Sequence, residues 1–84
     1  MPRGQADPVL GEVLRYTRED RPMKREEVAA AAGLTISTVG SIERGESDPS
    51  WSTLKAMCSA LGITFVELAR RVEAAGGAVR FDRR

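Results

Sequence analysis

The chain has 84 residues, 42% of them apolar and 30% charged, with a formal net charge of +1. That length makes one small domain with a modest core, and that composition excludes wholesale disorder. The near-neutral balance argues against a generic polyanion binder, whose footprint is a strong basic stripe, so any nucleic-acid case must rest on where the charges sit.

Residues 1–6 read as a flexible polar tail. Asp7 then stands as a helix N-cap, with Pro8 at the first helical position, where a missing N–H costs nothing. Val9, Leu10, Val13, Leu14 and Thr17 recur at helical spacing and make one inner face. This helix is expected to end near Asp20, because Pro22 disfavours α geometry at Arg21. A second helix is predicted from about Arg25 to Ala32, with Val28, Ala29 and Ala32 inward and Gly33 as a left-handed stop.

Thr35 caps a third helix, Ile36 to about Arg44, which Gly45 terminates. Leu34 and Val39 bracket its start as a hydrophobic staple, and Val39 and Ile42 face inward. After the loop ESDPS, Ser50 caps a fourth helix, in which Trp51, Leu54, Met57, Cys58 and Leu61 keep helical spacing up to Gly62. Thr64 and Glu67 form the pattern of a capping box for a fifth helix, with Ile63 and Leu68 as its staple. Phe65, Leu68, Ala69 and Val72 make its inner face, and Gly76-Gly77 stops it. The expected domain therefore spans 7–75. A tail follows over 76–84, whose AVRFDRR reads as a strand or as frayed chain. No strand pair is needed, so the fold class is all-α, with five helices folded back through short connections.

The third helix is the odd one. Its polar face carries Ser37, Thr38, Gly40 and Ser41, almost bare of charge, whereas a merely solvated face would more usually carry Lys or Glu. It is joined to the second helix by Gly33-Leu34-Thr35 alone. This is the helix-turn-helix arrangement. The stretch AAGLTISTVGSIERG, followed by PSWSTL and ALGITFVEL, resembles the Cro and phage-repressor-like helix-turn-helix family, of the xenobiotic-response-element type. The resemblance covers roughly residues 9 to 72, and it brings turn, recognition helix, following loop and both later helix starts into register.

That resemblance implies a lambda-repressor-like DNA-binding domain whose third helix lies in the major groove. The positions matching the family's base contacts are Ile36, Ser37, Thr38 and Ser41. Ile36 stands where a polar base reader is common, and a thymine methyl is a good partner for it. With no Arg, Gln or Asn among the four, the bidentate code for guanine or adenine is missing. Recognition then leans on hydroxyl, methyl and water-mediated contacts and on DNA shape. Gly40 is read as giving the groove room. Lys24 and Arg25 replace the family's Ser or Thr and Gln at the start of the second helix, gathering two cations at an end that favours phosphate. Arg44 and Ser47 are further phosphate contacts by position, while Glu46 and Asp48 nearby would repel, so a moderate affinity with a gentle salt slope is expected. Arg18 and Glu43 match a structural ion pair of the family that ties the first helix to the third.

The remaining residues carry plainer readings. Cys58 sits on an apolar helix face and reads as core. With no histidine and no second cysteine, no metal site or cofactor is expected, and no pair of carboxylates converges as in an enzyme. A lone cysteine suits a reducing cytoplasm, the N-terminus lacks the apolar region of a secretory signal, and no apolar run is long enough to cross a bilayer. The dominance of arginine over lysine reads as the bias of a GC-rich bacterial genome. Trp51, where the family usually has Leu, is read as core, or, if partly exposed, as a dimer anchor. Two functions follow. One is a sequence-selective transcriptional regulator binding double-stranded DNA as a homodimer on a pseudo-palindromic site. The other is an interaction module, such as an antitoxin, that uses the same fold on a protein partner and binds DNA weakly.

Overall fold

The computed structural model describes residues 6–76. The readings of residues 1–5 and of the AVRFDRR tail lie outside them. Five helices follow in order: α1 (Pro8–Asp20), α2 (Arg25–Ala32), α3 (Ile36–Glu43), α4 (Trp51–Leu61) and α5 (Phe65–Ala74). Among the described residues there is no strand.

The boundaries arise from local chemistry. The Asp7 carboxylate accepts from the Val9 and Leu10 N–H groups at the head of α1. Thr35, Ser50 and Thr64 each accept from the N–H three residues on. The C-termini of α2, α3 and α4 close with a glycine at φ 71–75°, a conformation that a residue with a Cβ adopts only under strain. In each case the N–H after that glycine reaches back five residues: Leu34 to Ala29, Glu46 to Ser41, and Ile63 to Cys58. The capping box expected at Thr64 is half formed. Thr64 accepts from the Glu67 N–H, but the Glu67 carboxylate turns to Arg71 at 3.2 Å. The reciprocal half of such a box occurs at α2 instead, where Glu27 accepts from the Lys24 N–H at 2.7 Å. Lysine has no acceptor to complete it.

The core joins Val13 and Leu14 of α1, Val28 and Ala29 of α2, Val39 and Ile42 of α3, Met57, Cys58 and Leu61 of α4, and Leu68 of α5. α2 packs on α3 and α4, and α1 on α3 and α5. The α1–α3 contact depends on Gly11, a residue the sequence pattern does not single out. A Cβ there would stand 2.8 Å from the Glu43 carbonyl oxygen and closer still to that of Ile42, so only glycine admits this approach of backbones.

Two inward assignments are corrected. Trp51 is 55% exposed and Phe65 41% exposed. They open α4 and α5, where the first turn projects past the core, and they pack on each other edge to face at 4.7 Å between ring centres. Val66 beside them is exposed as well.

Candidate nucleic-acid interface

The helix-turn-helix is built by α2, the turn Gly33–Thr35 and α3. α3 buries Val39, Gly40, Ile42 and Glu43 and turns the opposite face outward. Ser37 is exposed on that outer face, while Ile36, in line with the buried Val39, Gly40 and Glu43, is half exposed because it stands in the first turn. Thr38 and Ser41 are half-buried. The Thr38 hydroxyl accepts from the Thr35 hydroxyl at 2.9 Å, and the Ser41 hydroxyl lies 3.1 Å from that of Ser47. Three of the proposed base readers, Ser37, Thr38 and Ser41, lie on the outward side of α3, and the fourth, Ile36, stands at its N-terminal end. Two of them hold their hydroxyls in hydrogen bonds that fix their direction.

Behind this face sits a buried ionic knot. Arg18 grips Glu43 with two bonds, Nε to Oε2 at 2.7 Å and Nη2 to Oε1 at 3.0 Å. Its Nη1 donates to the Met23 carbonyl, which fastens the α1–α2 loop. The hydrogen bond to Glu43 raises the Arg18 pKa beyond its usual value, against a smaller opposing effect of burial. A second arginine also uses Glu43: Arg25 Nε donates to Oε1 at 3.0 Å. One buried carboxylate thus links α1, α2 and α3, and among the described residues no buried side-chain polar atom lacks a partner.

The proposed phosphate contacts are placed around this knot. Lys24 is exposed ahead of α2, and Glu26 and Glu27 in the first turn offset the two cations there. Arg25 is partly committed to Glu43, which pairwise sequence reading of Arg18 and Glu43 did not anticipate. Arg44 is exposed and forms a two-bond pair with Glu46 at 2.9 and 3.1 Å. That pairing holds the Glu46 carboxyl below its ordinary pKa. Asp48 is not a loose negative charge either, since it accepts from the Asp7 N–H at 2.8 Å and pins the loop to the head of α1. The room expected at Gly40 for a groove wall is also corrected. Gly40 is buried, and the space a Cβ would take there is crowded by the Arg44 guanidinium at 2.9 Å, with Arg25 Nη1 in ordinary contact at 3.8 Å.

The site and fold define a small all-α helix-turn-helix protein. Residues 9–71 match the helix-turn-helix domain family, three quarters of the chain, and the chain belongs to it. It is 36% identical over 64 residues to the HTH-type transcriptional regulator DdrOP3 of Deinococcus deserti, covering 76% of this chain and 50% of that one. It is 37% identical over 54 residues to the immunity repressor protein of Bacillus phage phi105, covering 64% of this chain and 38% of that one. The chain thus spans half or less of the length of these two relatives. Among solved structures it superposes on the restriction-modification controller protein C.AhdI from Aeromonas hydrophila with a TM-score of 0.71. That match has 33% identity and covers 73% of this chain and 92% of the other.

Proposed function

We propose that the chain is a sequence-selective, DNA-binding transcriptional regulator that works as a homodimer on a pseudo-palindromic site. One observation carries the reading: α3 presents an uncharged outer face of Ser37, Thr38 and Ser41, with Ile36 exposed at its N-terminal end, in a chain that places the cations Lys24 and Arg25 at the start of α2 and Arg44 at the end of α3. Small groups let a helix backbone approach base edges, and flanking cations hold the phosphates on either side. Ile36 reads a thymine methyl. Ser37, Thr38 and Ser41 contact base edges through hydroxyls or water. Lys24, Arg25, Arg44 and Ser47 contact phosphates and set the register.

The dimer surface in this reading is the α4–α5 side. Trp51, Phe65 and Val66 are exposed together there. A groove of about 210 Å³ adjoins them, lined by Leu10, Leu54, Ala69 and Val72 among others. Two copies joined there carry their α3 helices about 34 Å apart, one turn of duplex. The protein acts by binding and carries out no catalysis. It works in the bacterial cytoplasm, where DNA is its ligand. No single described helix is long and apolar enough to cross a membrane.

The test is selection from a random duplex pool with the purified chain, with sedimentation of the complex. A two-fold symmetric motif bound by two copies is expected. Absence of any enriched motif, with capture of a protein partner in its place, contradicts the reading and favours the interaction module.

A further inference from the structure

Gly40 sits in the middle of α3 and is buried. A glycine inside a helix weakens it relative to alanine, so its presence there needs a reason. A Cβ built at Gly40 would stand 2.9 Å from Arg44 Nη1 and 3.8 Å from Arg25 Nη1. Both guanidinia therefore turn one edge toward the same bare Cα. Their other edges are anchored by carboxylates, Arg25 Nε on Glu43 and Arg44 Nε and Nη2 on Glu46. Among the described residues neither Nη1 donates to an acceptor. The place borders an open depression of about 330 Å³ to which Arg15 and Glu12 also contribute.

Glu43 is shared between Arg18 and Arg25 while Glu46 serves Arg44, so the three arginines outnumber the two carboxylates by one charge and the free edges beside Gly40 attract an anion. We propose that Arg25 and Arg44 form a single two-arginine clamp on one backbone phosphate, and that Gly40 is the positioning residue that lets them meet. Each Nη1 donates to a different non-bridging oxygen of that phosphate. Glu43 and Glu46 hold the Nε edges, so the free edges arrive already oriented. Gly40 acts from beneath the clamp and takes no part in base reading. The proposal rests on the DNA-binding function above and names how its phosphates are held.

The experiment is a cycle of Gly40→Ala, Arg44→Ala and the double variant. Each is titrated with the selected duplex and a scrambled duplex at several salt concentrations, alongside thermal melts. Gly40→Ala is expected to melt no lower than wild type. It should bind both duplexes about fivefold more weakly, as for one charge-assisted hydrogen bond misaligned, with a salt slope smaller by up to roughly one unit. In the Arg44→Ala background the Gly40→Ala loss should vanish, because the clamp is already broken. Unchanged affinity in Gly40→Ala overturns the clamp. So does a loss confined to the selected duplex that persists without Arg44, because that places Gly40 at the groove. Wild type that binds neither duplex overturns the DNA-binding function itself, before any variant is compared. If Gly40→Ala does not fold, the cycle of Arg25→Ala and Arg44→Ala decides. Overlapping losses support one shared phosphate, and fully additive losses overturn it.

Discussion

Glu43 ties three helices together, since its carboxylate serves both Arg18 and Arg25. Replacing it by glutamine keeps the shape but removes the charge and one acceptor. Two guanidinia then face an amide, one of them buried, and a loss of roughly 3–5 kcal/mol is expected. Ser41→Ala removes a hydroxyl that contacts Ser47 and helps hold the Glu46 carboxylate near the surface. It should change stability by less than about 0.5 kcal/mol while reducing discrimination at one base pair by about 1 kcal/mol. Paired melts and DNA titrations of the two variants read this directly, and the reverse pattern means that α3 is rotated about its axis. Cys58 is a further residue-scale check. It is buried, and burial pushes its thiol pKa up, so little reactive thiolate forms near neutral pH. Alkylation in native buffer should therefore be slow and should rise with the unfolded fraction in denaturant. Rapid labelling of the folded protein contradicts the packing of α4.

At the scale of elements, Gly11 and Gly40 make opposite predictions from the same substitution. Gly11→Ala drives a Cβ into the backbone carbonyls of α3, which cannot swing aside as a side chain can. A loss of roughly 1–3 kcal/mol is expected despite the better helix propensity of alanine, read as a drop in melting temperature. A stabilised Gly11→Ala would show that α1 and α3 stand farther apart. The five helices themselves are legible in the sequence because their ends are marked by short-range chemistry: Asp7, Thr35, Ser50 and Thr64 at the starts, Gly33, Gly45 and Gly62 at the ends. Periodicity likewise locates Val39 and Ile42 in the core. What it misses depends on tertiary arrangement. Nothing local tells that Gly11 faces another backbone, or that Arg25 reaches 18 residues along the chain to a carboxylate already claimed by Arg18. Trp51 and Phe65 have core-like spacing, yet each lies at the first position of its helix, beyond the reach of the buried layer.

For the whole molecule, the proposed dimer makes the exposed Trp51–Phe65 pair a link between assembly and DNA binding. Trp51→Ala should leave the fold intact, weaken self-association by about 2 kcal/mol if the ring is a central anchor, and make DNA binding depend more steeply on protein concentration. Sedimentation equilibrium measures the first effect and titration at several protein concentrations the second. A variant that dimerises like wild type moves the interface away from α4 and α5. Salt dependence should stay gentle, because Glu46 and Asp48 lie among the candidate phosphate contacts and few phosphates are neutralised per copy. The most direct measurement concerns Ile36 at the proposed entry of α3 into the groove. Within the selected site, each thymine is replaced in turn by deoxyuridine, which deletes only the major-groove methyl group. One thymine per half-site should prove sensitive, with affinity falling about fourfold, as for a single buried methyl, and that sensitivity should disappear in Ile36→Ala. A site in which no thymine is sensitive, or in which the sensitivity survives Ile36→Ala, contradicts the placement of α3 against the bases.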